Sequence, residues 1–353
     1  MARVRRRGLG LGNELLPWAR AFIAAQVLDA KLLPPAFGMN RRGYWRHFRT
    51  APDDWLAHRA LEYLLPVVEF TEADYLEHGG GDAVVALQRF AEARALHRRR
   101  TFLLVTEGLW GGYYHVDAAR EFIRSTLFES RYAARNLLRL RARLNPERIV
   151  VGMHVRLGDF RPPQASADYR AASNLALPLE WFCSIADRLT QGLGPRLQFL
   201  VVSDGNEAQL RPLTSRVPCV TTGDLPDGDC SDALALAAAD LLVCSASTFS
   251  HLAAFLSDAP YLWFAPNLTP QVEGCYSLGE RRGERERAGS ALATAVADYA
   301  AQAPARSRGI AVGLDGTVPQ WLADYLLERH ALKRWQTDLV RGGVTAMPAS
   351  PRR

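Results

Sequence analysis

From residue 149 onward the sequence alternates short apolar, β-branched runs with stretches of helical periodicity. That alternation limits the possible folds more than any other feature of the chain. The runs fall at 149–155, 198–203, 219–221, 241–244 and 261–264, and the helical patterns between them include 179–190 and 231–239. Strands joined through helices predict βαβ units and a parallel sheet. The first half reads differently. Residues 14–28 place Leu15, Trp18, Ala19, Phe22, Ile23 and Val27 at helical spacing, and Pro34-Pro35 ends that unit. Residues 44–65 predict a helix pair, Gly79-Gly80-Gly81 a loop, 101–105 a strand, 111–114 a loop, and 118–143 one long arginine-rich helix. Asn145-Pro146 breaks the chain and marks a domain boundary. The expected division is 1–145, 146–310, and a C-terminal piece at 311–353 whose amphipathic helix, 320–340, docks on the body and runs into a tail.

Composition excludes several classes. With 48% hydrophobic and 23% charged residues, the chain can build a packed core, which argues against wholesale disorder. The net charge of +6 suits anionic ligands, but Arg3, Arg5, Arg6, Arg7, Arg352 and Arg353 at the ends read as solvated tails. No aromatic residues interleave the N-terminal arginines, so a nucleic-acid partner is not expected. The five cysteines (183, 219, 230, 244 and 275) form no CxxC pair, which predicts neither a metal cluster nor a disulfide framework. Cys183 and Cys244 read as buried thiols. No apolar h-region follows the basic start and no run is long enough to span a bilayer, so a cytoplasmic protein without a transmembrane segment is expected.

Four segments carry chemistry. The apolar run Arg148-Ile149-Val150-Val151 leads into Gly152-Met153-His154-Val155-Arg156-Leu157-Gly158-Asp159-Phe160. An arginine at a strand's carboxyl end faces the crevice where open α/β sheets bind ligands, and its planar fork suits phosphate. Arg156 could instead pair structurally with Asp159. His154, two residues earlier on the strand, shares Arg156's face. Gly10-Leu11-Gly12-Asn13 precedes a helix and would expose amides to an anion, or form an ordinary turn. Ser203-Asp204-Gly205 follows a strand, and Asp204 either contacts a base or ribose or caps the next helix. Asp232 opens an apolar stretch that ends in Ser245-Ala246-Ser247-Thr248-Phe249-Ser250, a second strand–turn–helix anion site unless its hydroxyls only cap.

Together, and in this order, these segments resemble the fucosyltransferase superfamily, close to the bacterial inverting enzymes that use GDP-fucose. The segment Pro178-Leu179-Glu180-Trp181-Phe182 resembles the helix start that follows the family's arginine motif. The match covers the second half and the N-terminal turn and leaves most of 30–145 unexplained. The resemblance implies a GT-B fold: two Rossmann-like domains with the donor in the cleft, held mainly by 146–310, the first domain serving the acceptor. It implies that Arg156 grips the donor β-phosphate, that His154 and Asp232 contribute to guanine recognition, and that Ser247 and Thr248 bind phosphate oxygens. Gly10, Gly12 and Asn13 would approach the pyrophosphate from the other domain, with Ser203 and Asp204 beside the nucleotide. It implies inverting transfer of a sugar, fucose first, to a glycan, peptide or small-molecule hydroxyl, with no metal and no cofactor beyond the GDP-sugar itself.

The resemblance departs at two places. Leu157 stands where many relatives have a second arginine, which leaves another donor sugar, or a catalytically silent binding protein, as alternatives. Arg161-Pro162-Pro163-Gln164 stands where some relatives carry a basic glutamate, leaving Asp159 as the nearest candidate base, with Asp168 further on. Glu107 and the loop of Tyr113, Tyr114 and His115 are candidates for the acceptor side.

Overall fold

The computed structural model describes residues 1–3, 9–34, 42–48, 54–78, 82–99, 101–108, 110, 112–162, 169, 174–267 and 309–332. Its strands are β1 (Ala2–Arg3), β2 (Val67–Phe70), β3 (Leu103–Glu107), β4 (Ile149–Val155), β5 (Leu197–Ser203), β6 (Cys219–Thr221), β7 (Leu241–Cys244), β8 (Tyr261–Phe264) and β9 (Gly309–Val312). The helices are α1 (Leu11–Val27), α2 (Trp45–Phe48), α3 (Asp54–Leu64), α4 (Glu72–Glu77), α5 (Ala83–Ala93), α6 (Arg120–Phe128), α7 (Ala133–Arg143), α8 (Leu179–Leu193), α9 (Glu207–Thr214), α10 (Asp229–Ala238), α11 (Thr248–Leu256) and α12 (Trp321–Leu332).

Two parallel sheets result. The larger runs β6-β5-β4-β7-β8-β9, and the smaller runs β1-β3-β2. The five apolar runs read from the sequence are five of the six strands of the large sheet. They read clearly because both faces are covered: β4 is buried along its whole length. Ile149, Val151, Met153 and Val155 point into a layer with Trp181, Phe182, Ile185 and Leu189 of α8 and Leu322 and Leu326 of α12. Val150 points the other way, into a layer shared with Leu11 and Leu15 of α1, Ala233 and Leu236 of α10 and Leu252 of α11. The sheet with helices on both faces is compatible with a Rossmann-like fold.

The first half differs from the sequence reading in three ways. Arg3 is not in a solvated tail: Ala2 and Arg3 pair with Thr106 and Glu107, so the chain's start forms one edge of the small sheet. Arg5, Arg6 and Arg7 lie outside the described residues. The strand expected at 101–105 is displaced to Leu103–Glu107, and β2 beside it was not anticipated. The long helix expected at 118–143 breaks between Phe128 and Ala133. Tertiary partners override helix propensity there. Ser130 Oγ lies 2.9 Å from His47 Nδ1, and Asn136 donates to Pro226 O at 2.9 Å and Ser231 Oγ at 3.1 Å. These bonds turn α7 onto α10.

At the far end, β9 joins β8, and α12 packs on α8 as the docking helix expected from sequence, over residues 321–332. His330 of α12 approaches the buried Asp240, Nδ1 to Oδ2 at 3.5 Å, where Asp240 also accepts from Val150 N at 2.9 Å. Gly79-Gly80-Gly81, Asp168, Cys275 and the C-terminal tail lie outside the described residues. Cys183, Cys230 and Cys244 are buried free thiols. No helix among the described residues is long and apolar enough to cross a membrane.

Candidate functional site

The order of the large sheet creates a crevice. From β4 the chain steps outward to β5 and β6, then returns to the other side of β4 for β7, β8 and β9. The carboxyl ends of β4 and β7 therefore flank the point where the winding reverses, the place where open α/β sheets bind ligands. Arg156 lies just past the end of β4 and Ser245 just past the end of β7.

Arg156 is held in a fixed orientation. Its Nη1 pairs with Asp204 Oδ2 at 2.8 Å and its Nη2 with Asp159 Oδ1 at 2.5 Å. Its guanidinium carbon lies 5.3 Å from the centre of the Phe160 ring. Among the described residues, these two carboxylates are the partners of its five side-chain donors. Asp204 ties down the whole turn: Oδ1 accepts from Leu157 N at 2.8 Å, and Gly158 N also donates to the carboxylate. Burial works against the charge of Asp204. The two backbone amides and Arg156 outweigh it and hold the carboxyl below the usual aspartate range. Gly158 is required for this arrangement, because a Cβ there would overlap Asp204 Oδ2. Asp204 therefore orients Arg156 and does not cap the following helix. That cap is Asn206, which accepts from Gln209 N at 2.9 Å. Ser203 Oγ donates to Val155 O at 2.6 Å and accepts from Gly205 N at 3.0 Å.

Asp159 bridges two guanidinium groups. Its second oxygen accepts from Arg42 Nη2 at 2.9 Å, so the segment between α1 and α2 reaches the same turn. His154 lies beneath the site, 4% exposed, with Nδ1 2.7 Å from Ser250 Oγ and its ring against Phe249. Burial first, and the nearby Arg156 second, lower its pKa to about 3, so the ring is neutral. Ser245 joins the two strands: Oγ donates to His154 O at 2.6 Å and accepts from Arg156 N at 3.0 Å.

The N-terminus of α1 meets the N-terminus of α11. A Cβ on Gly12 would overlap Thr248 O, so only glycine allows the approach. Tyr113 donates its hydroxyl hydrogen bond to Gly12 O, and burial raises its pKa above the usual tyrosine range. Asn13 is buried and its Oδ1 has no hydrogen-bond partner. Ser247 serves as the α11 cap, accepting from Phe249 N at 3.2 Å, and Thr248 is the first helical residue. Gly10 caps α1 without a side-chain bond.

The N-terminus of α10 supplies two carboxyls. Asp232 Oδ2 accepts from Thr222 Oγ1 at 3.1 Å, and Oδ1 is buried without a hydrogen-bond partner. Burial raises this carboxyl to about 8 against the bond from Thr222, with Asp229 adding to the rise. Asp229 faces His47, Arg42 and Arg156, and its Oδ2 lies 3.9 Å from His47 Nε2.

Of the sequence-predicted residues, the structure gathers Arg156, Asp159, Ser203 and Asp204 at one turn, sets His154 against Phe249 and Ser250 of α11 and Gly12 against Thr248, and pairs Asp232 with Thr222; Gly10 and Asn13 lie at the start of α1 and Ser247 at the start of α11. Sequence reasoning missed Arg42, His47, Asp229 and Ser245. Only Ser245 carried a signal, as part of the hydroxyl cluster. Of the acceptor-side candidates, two on the loop after β3 have structural partners. Tyr113 is committed to Gly12, and His115 is buried in a stack on Trp110. Among the described residues, a grouping with metal-ligand spacing is Asp74, Glu77 and His78, where Asp74 already accepts from Thr71 and pairs with Arg94. The sequence matches no family model and no curated protein.

Proposed function

We propose that this chain is a glycosyltransferase of GT-B type that moves a sugar, fucose first, from a GDP-sugar to an acceptor hydroxyl with inversion. The observation that carries the reading is Arg156, clamped by Asp204 and Asp159 at the winding reversal, together with the meeting of the α1 and α11 N-termini, which come from the two halves of the chain. Such a site is suited to a diphosphate leaving group. As the bond from the sugar to the phosphate breaks, negative charge grows on the departing oxygen. A guanidinium already oriented by Asp204 stabilises that charge without reorganising. The amides at the starts of α1 and α11 add positive potential. Asn13, buried with a spare carbonyl oxygen at the start of α1, fits a contact to the donor from the first half. Asp232 supplies the acidic group that the edge of a guanine requires. The protein is expected to act in the cytoplasm, on a glycan, peptide or small-molecule acceptor.

A thermal-shift series tests the donor. GDP and GDP-fucose are expected to raise the melting temperature with concentration, and Arg156→Ala to abolish the shift. A shift with UDP- or TDP-sugars and none with guanine nucleotides would overturn the donor assignment. Tight GDP binding without turnover would favour a silent binding protein.

A further inference from the structure

Resting on that reading, we propose that Asp229 takes the proton from the acceptor hydroxyl, with His47 as its positioning residue. The geometry is a carboxylate opposite a fixed imidazole, assembled from both halves of the chain. Asp229 is the first residue of α10, and its side chain is 43% exposed, enough to meet a substrate. His47 of α2 is 2% exposed. Ser130 Oγ, 2.9 Å from Nδ1, fixes the ring, and Nε2 points to Asp229 Oδ2 at 3.9 Å. Arg42 and Arg156, which share Asp159, both act on Asp229 as well, so the carboxylate borders the donor clamp.

Asp159, the candidate base from sequence, has both oxygens engaged by guanidinium groups and would have to release one to accept a proton. Among the described residues, the ion pair of Asp229 is the 3.9 Å approach of His47. The step balances. The acceptor O–H proton passes to the Asp229 carboxylate, and the oxygen forms a bond to the sugar's anomeric carbon. The bond from that carbon to the phosphate oxygen breaks, and its electron pair leaves with GDP beside Arg156. Burial raises the Asp229 carboxyl above the usual aspartate range, and His47, Arg42 and Arg156 oppose the rise. A base so placed gains driving force near neutral pH. Among the described residues, other charged or titratable groups around it are Asp227 before α10, Arg46 of α2 at 3.9 Å from Asp227, Cys230 and Asp232 within α10, and Tyr44 from the first half.

The test uses water as acceptor, so that the acceptor's identity is not needed. Release of GDP from GDP-fucose is measured from pH 4 to 9 for the full chain, Asp229→Asn, His47→Gln and Arg156→Ala. Asp229→Asn is expected to lower kcat by about 10²–10⁴-fold with little change in KM, and to remove the rise of rate with pH. The GDP-induced thermal shift should remain, which shows that the variant folds and binds. His47→Gln is expected to lower kcat less and to displace that pH rise. Turnover of Asp229→Asn within about threefold of the parent, with Arg156→Ala inactive, overturns the assignment of Asp229 while leaving the transferase reading intact. A parent chain that binds GDP but never releases it from GDP-fucose overturns both.

Discussion

Replacing Asp232 with asparagine should make this protein more stable at neutral pH. An aspartate in an unfolded chain titrates near 3.9. In the fold, burial raises Asp232 to about 8. Below pH about 4 both states hold the proton, and the group has no effect on stability. Between about 4 and 8 only the unfolded chain ionises, so unfolding releases a proton. Stability then falls as pH rises, by about 1.4 kcal/mol per unit, and levels off above about 8. Asparagine has nearly the same shape, keeps an oxygen to accept from Thr222 Oγ1, and carries no charge in either state. The stability difference between Asp232→Asn and the parent should therefore grow by about 2–3 kcal/mol from pH 5 to pH 7. Urea unfolding at several pH values, analysed by linear extrapolation, measures it. Parallel pH profiles for the two proteins, or a variant less stable at pH 7, would refute the argument. The same carboxyl gives the site a signature. On the proposed reading, guanine's N–H donors favour the ionised, two-acceptor form of this carboxyl. GDP binding below pH 8 should then release a proton, visible in calorimetry as a dependence on the buffer's ionisation heat.

Other consequences can be checked separately. Gly12→Ala places a methyl group into Thr248 O and must push α1 from α11, at a cost of about 1–3 kcal/mol; a lowered melting temperature and a weakened GDP shift are expected. A fully stable Gly12→Ala would mean that the two helix starts do not meet. Asp159→Asn frees Arg156 and Arg42 from an exposed competitor, a contribution of about 0.2–1 kcal/mol. GDP affinity should rise a few fold by titration calorimetry. A marked loss of affinity would instead show that Asp159 holds the clamp in its working position.

Elements buried on both faces were legible in the sequence, and elements built by contact were not. The core strands β4, β5 and β7 announce themselves because almost every residue is apolar, with His154 and Gln198 the large polar exceptions. The edges of the small sheet do not: β1 has two residues, and β2 reads Val-Val-Glu-Phe with only Phe70 buried. The break before α7 carries no glycine or proline, since it is made by Ser130 reaching His47 and Asn136 reaching Pro226 and Ser231. The same division runs through the site. Arg156 is legible because a charged residue ending an apolar strand is costly unless it is used. Arg42, His47 and Asp229 are ordinary polar residues in sequence, and only the fold sets them against one another. The motif glycines join the two kinds of information. Gly12 makes room for Thr248, Gly158 for Asp204, and Gly205 for Leu157, so three of the four motifs lack a Cβ where a residue of another motif sits. A chance collection of glycine turns would have no reason to interlock across the chain. That these do supports reading the separate motifs as walls of one site.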